Sequence, residues 1–307
     1  MCTPAVLCCC RNEHDDARLI FSLDVSVTHM ETDLVMGSLL YSDHYSLVNT
    51  DFYQDTQVIS GTPKWYGFKD GDNMDAKFRE IASFTQMNET HVLVADELNH
   101  CIRLVSRVTG KTSTFAGSCR RSGMSDGLML DDVRFNHPSA VVMDSRTDSI
   151  YVMDSGNSRI VLINSGVAIS INAPEKDMRV LAMHSGTIYT MGENGAVYAI
   201  HPQTLEFTTL FEFPEWKKKT VQAMTMLDSQ TVVAASGEDA FIFSNSSARV
   251  TPLCEDYCKQ PTAFLHGINH FYIAAQGGIF VVEFMPDDEI LANLPEAVMD
   301  GNNRSKS

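Results

Sequence analysis

The stretch VLVADELNHCIRLVSRVTGKTSTFAG, Val92 to Gly117, is echoed 58 residues later by IYVMDSGNSRIVLIN, Ile150 to Asn164. Each copy places an Asp after a run of β-formers (Asp96, Asp154), an Asn three residues on (Asn99, Asn157) and an Ile three after that (Ile102, Ile160). Asp and Asn side chains hydrogen-bond the backbone of tight turns and Asn tolerates left-handed conformations, so each copy reads as strand, turn, strand: a β-hairpin. Self-similarity at a fixed spacing marks a repeat architecture and takes precedence over other readings.

Working outward, DGDNMDAKFREIA from Asp70 and DGLMLDDVRFNHPSAVVMD from Asp126 both open on Asp-Gly and reach a Phe, Phe78 and Phe135, before the next apolar strand. Asp-Gly signals a tight turn, and the Phe suits a wedge between packed sheets. Looser copies follow at Val180–Ile200, Ala223–Ser244 and Ala263–Phe284, and an early one spans Asp24–Gly61. The inner strand ends in an apolar residue followed by Asp or His at Met143-Asp144, Met183-His184, Leu227-Asp228 and Leu265-His266. Six copies of a four-strand unit predict an all-β fold, a six-bladed β-propeller of four-stranded antiparallel blades. No sustained apolar period of 3.6 supports a helical solenoid. Closing the ring removes a raw sheet edge. Arg18–Leu23 is the candidate closing strand and Glu289–Leu294 its competitor. The expected organisation is a Cys-rich leader over 1–16 (Cys2, Cys8, Cys9, Cys10), a propeller over 17–296 and a polar tail over 297–307.

At these residues the chain resembles the NHL-repeat family of β-propellers, extracellular members included. The resemblance rests on DG…F, HPSAVVMD and IYVMDSGNSRI, with the parallel set DG…KF, VLVADELNHCIR and TSTFAG; Gly61 to Gly166 carry it. It implies a propeller built for binding, and it implies fold far more than function. RNA-binding members require a positive face. With 23 Lys+Arg against 39 Asp+Glu, a formal net charge of -16, this chain lacks the cations that neutralise phosphates, and no nucleic acid is expected. A lyase of the same architecture holds zinc with channel histidines beside a Tyr and an Arg. Here SGNSR supplies Arg159 but no Tyr, and His137 precedes Pro138 where a ligand is expected after it. His137, His184 and His266 are the candidate zinc ligands of that alternative, a metal-dependent lyase or hydrolase in the central channel. Otherwise no cofactor is expected, with calcium or zinc as the options.

In a propeller the blade-to-blade connections and the turns between second and third strands emerge on one face, and binding residues concentrate on loops held by a rigid scaffold. That face is expected to carry Trp65, Tyr66, Tyr45, His100 and Trp216, aromatic anchors for a protein or peptide partner. It is also expected to collect Asp70, Asp72, Asp75, Asp126, Asp131 and Asp132, which would favour a basic partner. DGDNMD lacks the order of a calcium loop.

A hairpin centred on Thr109-Gly110 brings Cys119 near Cys101, within disulfide reach. Cys254 and Cys258 can close a smaller loop. Two such pairs indicate an oxidising compartment, hence an extracellular or secreted protein; free thiols and a cytoplasmic protein are the alternative. Asn88-Glu89-Thr90, Asn245-Ser246-Ser247 and Asn303-Arg304-Ser305 are glycosylation sequons, the first two at predicted turns. No run of 18 apolar residues occurs that could cross a membrane as a helix.

Overall fold

The computed structural model describes residues 17–22, 26–32, 38–51, 56–127, 130, 132–202, 204–213, 216, 219–237, 239–245, 249–252, 260–266, 270–276 and 278–283. Blade 1 comprises β2 (His29–Thr32), β3 (Leu39–Ser42), β4 (Ser46–Thr50) and β5 (Thr56–Gly61). Blade 2 comprises β6 (Ile81–Gln86), β7 (His91–Asp96), β8 (Cys101–Ser106) and β9 (Thr112–Ala116). Blade 3 comprises β10 (Pro138–Asp144), β11 (Ser149–Asp154), β12 (Arg159–Asn164) and β13 (Val167–Asn172). Blade 4 holds β14 (Ala182–His184), β15 (Thr187–Met191), β16 (Ala196–Ile200) and β17 (Phe207–Glu212). Blade 5 holds β18 (Ala223–Met226), β19 (Thr231–Ser236), β20 (Asp239–Ser244) and β21 (Arg249–Pro252). Blade 6 holds β22 (Ala263–His266), β23 (His270–Ala275) and β24 (Gly278–Glu283), and its outer strand is β1 (Ala17–Ser22). Each sheet has four strands in antiparallel register.

The ring closes through β1, which pairs with β24 from Ala17↔Val282 to Ser22↔Gly278. This is the strand expected at Arg18–Leu23; Glu289–Leu294 lies outside the described residues. The inner strands β2, β6, β10, β14, β18 and β22 touch in sequence around the axis, and β22 returns to β2.

Blade packing explains why the central strands are apolar on both faces. In β7, Val92 and Val94 join the core shared with blade 1, while Leu93 and Ala95 join the core shared with blade 3. In β11, Ile150 and Val152 face blade 2, and Tyr151 and Met153 face blade 4. The two-residue period of a strand therefore divides side chains between neighbouring blades rather than between core and solvent. Phe78 and Phe135 are fully buried in the cores between blades 1 and 2 and between blades 2 and 3, the wedge role expected of them.

The two Asp-Gly segments form hairpins that run down the seam between blades and edge the outer strand of the next sheet. In the first, Lys69 bridges Lys77 and Gly71 bridges Thr112 of β9; in the second, Ser125 bridges Arg134 and Gly127 bridges Ala168 of β13. The tip of the first hairpin reaches the far end of blade 2, where the Asn73 amide donates to Gly110 O at 3.0 Å.

This placement corrects the expectation that the hairpin aspartates gather on the binding face. Asp70 and Asp126 are taken up by buried arginines in the seam, and Asp72 and Asp75 sit by the turn of Gly110 at the opposite end. Asp75 lies 3.5 Å from Lys69 Nζ. Asp132 is exposed beside Ser125, whose hydroxyl donates to its carbonyl, and Asp131 lies outside the described residues.

Candidate binding face

The repeated Asp and Asn build the turns of this face. Asp96 and Asp154 share nearly the same backbone angles (φ -88, ψ 78 and φ -92, ψ 72), and each leads into a 3-10 turn, Glu97–Asn99 and Ser155–Asn157. One oxygen of Asp96 accepts from the amides of Arg79 and Glu80; the other accepts from Asn99 Nδ2 at 2.8 Å and Arg103 Nη1 at 3.0 Å. In the second copy Asp154 accepts from the Asn136 amide, from Asn157 Nδ2 and from Arg159 Nε, the last two at 2.7 Å. Asn99 also donates to Gly67 O and Asn157 to Gly123 O, pinning each descending hairpin. The left-handed residue is the one after the Asn, His100 at φ 60 and Ser158 at φ 50, not the Asn itself.

Arg103 and Arg159 do the same work from different strand positions. Arg159 follows Asp154 by five residues; in the first copy that position is Cys101, and the arginine has moved two residues along β8, still on the same side of the strand. Arg103 reaches Asp96 and Asp70, and Arg159 reaches Asp154 and Asp126 at 2.8 Å and the carbonyl of Arg134 at 2.6 Å. With its guanidinium buried and bound in the seam, Arg159 is not positioned to act in the channel, as the lyase alternative requires of it. The vacated position holds Cys101, bonded to Cys119 with the Cα atoms 5.0 Å apart, the pair expected from the hairpin register. Cys254 and Cys258 lie outside the described residues.

Of the five expected anchors, Trp65 and Tyr66 are exposed, Tyr45 and His100 are half-buried and Trp216 is buried. Trp65 and Tyr66 are 67% and 68% exposed on the connection from blade 1 to blade 2. Their loop is held at both ends: the Trp65 amide donates to Thr62 O, the Thr62 hydroxyl to Met74 O at 2.6 Å, and the Gly67 amide to Phe78 O at 2.8 Å. Gly61, at φ 97, starts this connection, and a Cβ there would sit 2.2 Å from Tyr45 O. Tyr45 is half-buried, with its ring centroid 6.3 Å from that of Tyr66. Beside it, His44 Nδ1 meets Glu80 Oε1; this hydrogen bond raises the His44 pKa, burial opposes the rise, and the charges of Glu80 and Asp43 add to it.

Trp216 corrects the expectation of a rim anchor. It is 2% exposed, its ring edge-on to Phe241 and Phe243 with centroids 5.7 and 5.1 Å away. The cause is the path of its connection. The Phe213 amide donates to Gly195 O and the Trp216 amide to Phe213 O, which folds the indole into the core between blades 4 and 5.

Nearer the axis a cleft of about 360 Å³ opens on the same face, lined by Glu97, His137, Ser155, Asp177, Arg179 and Glu193 among others. Arg179 Nη2 donates to both oxygens of Glu97 at 2.8 Å, and His137 Nδ1 stands 3.7 Å from Glu97 Oε1. The His137 amide donates to His100 Nδ1 at 3.1 Å, and the two rings meet edge to face at 4.6 Å. Burial, then the proximity of His137 and Arg79, pushes the His100 pKa down, which keeps Nδ1 free to accept that bond. Sequence reading singled out His100 and His137 but missed Glu97 and Arg179, 82 residues apart, because no local pattern links them. His137 and His184 do not converge: His137 precedes β10 at this face, whereas His184 ends β14 at the other, and the side chain of His266 is outside the described set. Among the described residues no group of three His, Cys, Asp or Glu side chains is arranged to hold a metal ion, and no helix is long and apolar enough to cross a membrane.

No protein-family profile matches the chain. Over 100 residues, 32% of this chain and 14% of the relative's length, it is 29% identical to NHL repeat-containing protein 2 of Bos taurus. The chain thus spans far less than two thirds of that relative. Among solved structures, a gluconolactonase of Xanthomonas campestris superposes with a TM-score of 0.63 at 10% identity, covering 87% of this chain and 89% of that one. A catalytically inactive virginiamycin B lyase of Staphylococcus aureus, solved with quinupristin, gives a TM-score of 0.58 at 10% identity, covering 88% of this chain and 99% of that one. At such identities the two structures share the fold alone. The chain is thus a six-bladed β-propeller that resembles the NHL-repeat proteins.

Proposed function

We propose that the chain is a non-catalytic propeller that takes a protein or peptide partner on the face bearing Trp65, Tyr66, Tyr45 and His100, outside the cell or in an oxidising lumen. The observation that carries this reading is the aromatic pair. Trp65 and Tyr66 lie side by side in solvent on a connection that hydrogen bonds hold at both ends. On a connection whose backbone is already ordered, a large side chain with only two rotatable bonds loses little entropy on binding, which is what an interface anchor requires. The neighbouring cleft, where the carboxylates of Asp177 and Glu193 join the paired Glu97 and Arg179, suits one basic side chain of that partner. The Cys101–Cys119 bond supports the compartment.

A photocrosslinking residue placed at position 65 tests this in cells, with position 145, exposed on the turn between β10 and β11 at the opposite face, as the control. Discrete crosslinked species at 65 and not at the control position are expected. Equal labelling at both positions, or none at 65, would overturn the assignment.

The second reading, a metal-dependent lyase or hydrolase, draws on the cleft, which brings His137, Glu97 and Arg179 together at the channel mouth. Elemental analysis of the purified protein separates the two. Stoichiometric zinc or calcium favours the enzyme, and a folded, metal-free sample favours the binding module.

A further inference from the structure

We propose that Asn88 accepts an N-linked oligosaccharide, placed on the face opposite the aromatic pair. Asn88, Glu89 and Thr90 form the turn between β6 and β7, and all three are exposed. Asn88 Oδ1 accepts from the Thr90 amide, the Thr90 hydroxyl and the His91 amide, each at 2.9 Å. The side-chain carbonyl is thereby fixed inward, and among the described residues Nδ2 has no hydrogen-bond partner. A sugar on that nitrogen displaces nothing in the folded protein.

The surroundings favour a cover at this point. The Arg107 amide donates to Thr90 O at 2.8 Å and Arg107 Nη1 to Glu89 O at 3.4 Å, which seats the neighbouring turn against the sequon. That turn carries Val108, at 75% the most exposed large apolar side chain among the described residues. An oligosaccharide on Asn88 shields it. Asn245 offers a contrast on the same face, in the turn after β20. Its Nδ2 donates to Gln230 Oε1 at 2.7 Å and its backbone amide to Gln230 O at 2.9 Å, so a sugar there would go onto a nitrogen already engaged in the fold and leave it a single N–H to keep that bond. Asn303 lies outside the described residues.

The reaction needs a lipid-pyrophosphate-linked oligosaccharide and the membrane transferase that uses it. The Asn88 amide nitrogen bonds to the anomeric carbon as the bond from that carbon to the pyrophosphate oxygen breaks. The lipid pyrophosphate leaves, and the amide gives one proton to the transferase. The inference rests on the extracellular or lumenal reading above.

The test is translation of the full chain, fused to a cleavable secretion signal, in the presence of microsomes, counting only protease-protected chains. We expect a mobility shift, reversed by peptide N-glycosidase, that Asn88→Gln and Thr90→Ala abolish and Asn245→Gln leaves in place. The Cys101–Cys119 bond, mapped on the same protected chains, reports folding and compartment together. Protected chains that hold this disulfide but show no shift, or a shift that survives Asn88→Gln, overturn the glycan site alone. Protected chains with neither disulfide nor shift overturn both readings.

Discussion

Replacing Arg159 with Met removes the cation at the centre of the blade 2–blade 3 seam while keeping most of the side chain's volume. Asp154 then keeps only the Asn136 amide and Asn157, the Arg134 carbonyl loses its donor, and the Ser125 carbonyl is left with the Arg134 amide alone. Burial already pushes the Asp154 carboxyl pKa up, against the pull of the Asn136 amide, Asn157 and Arg159, so the variant leaves a costly uncompensated charge. Removing one member of a buried ion pair costs about 3–5 kcal/mol. With a urea dependence of about 3 kcal/mol/M for a chain of this size, the unfolding midpoint should fall by about 1–1.7 M. The control is Lys69→Met, which breaks the exposed pair with Asp75 and should cost under about 1 kcal/mol. The loss in Arg159→Met should also shrink at acidic pH. With its folded pKa raised further, Asp154 contributes stability that is lost as pH rises through that value. Equal midpoint shifts in the two variants would refute the seam argument, and so would a loss that grows as pH falls.

The two tryptophans should separate in the same assay. Trp216→Ala is expected to destabilise by about 3–5 kcal/mol, because it empties a packed aromatic cluster, whereas Trp65→Ala should stay within about 0.5 kcal/mol; similar effects would contradict the burial assigned to them. Proton NMR titration of the imidazoles should find His44 titrating above the ordinary histidine value of about 6.5 and His100 below it. The His44–Glu80 bond then stabilises the fold below about pH 6.5, with the effect fading as pH rises through the folded pKa, and His44→Gln should abolish that dependence. His100 contributes with the opposite sign. Its share is present above the unfolded pKa and is lost as pH falls through the folded one, when Nδ1 can no longer accept from the His137 amide.

By itself the sequence determined the blades, because what makes a blade is local. Alternation sets a strand, Asp-x-x-Asn sets the turn that follows it, and the repetition of both revealed the ring. Register arithmetic within one hairpin placed Cys119 within reach of Cys101, and the apolar strand at Arg18 was one of two candidates for the closing strand; the structure joins the first pair and seats the strand at Arg18 against β24. Tertiary structure decided where the aspartates and aromatics ended up. Asp70 and Asp126 resemble surface turn residues in the sequence, yet the hairpins that carry them descend a seam where Arg103 and Arg159 wait. Trp65 and Trp216 sit in similarly polar connections; only the bond from the Phe213 amide to Gly195 turns one of them inward. The cleft was invisible for the same reason. Glu97, His137, Arg179 and Glu193 come from successive loops, and their meeting depends on how the blades close around the axis, a distance relation that no short window of sequence contains.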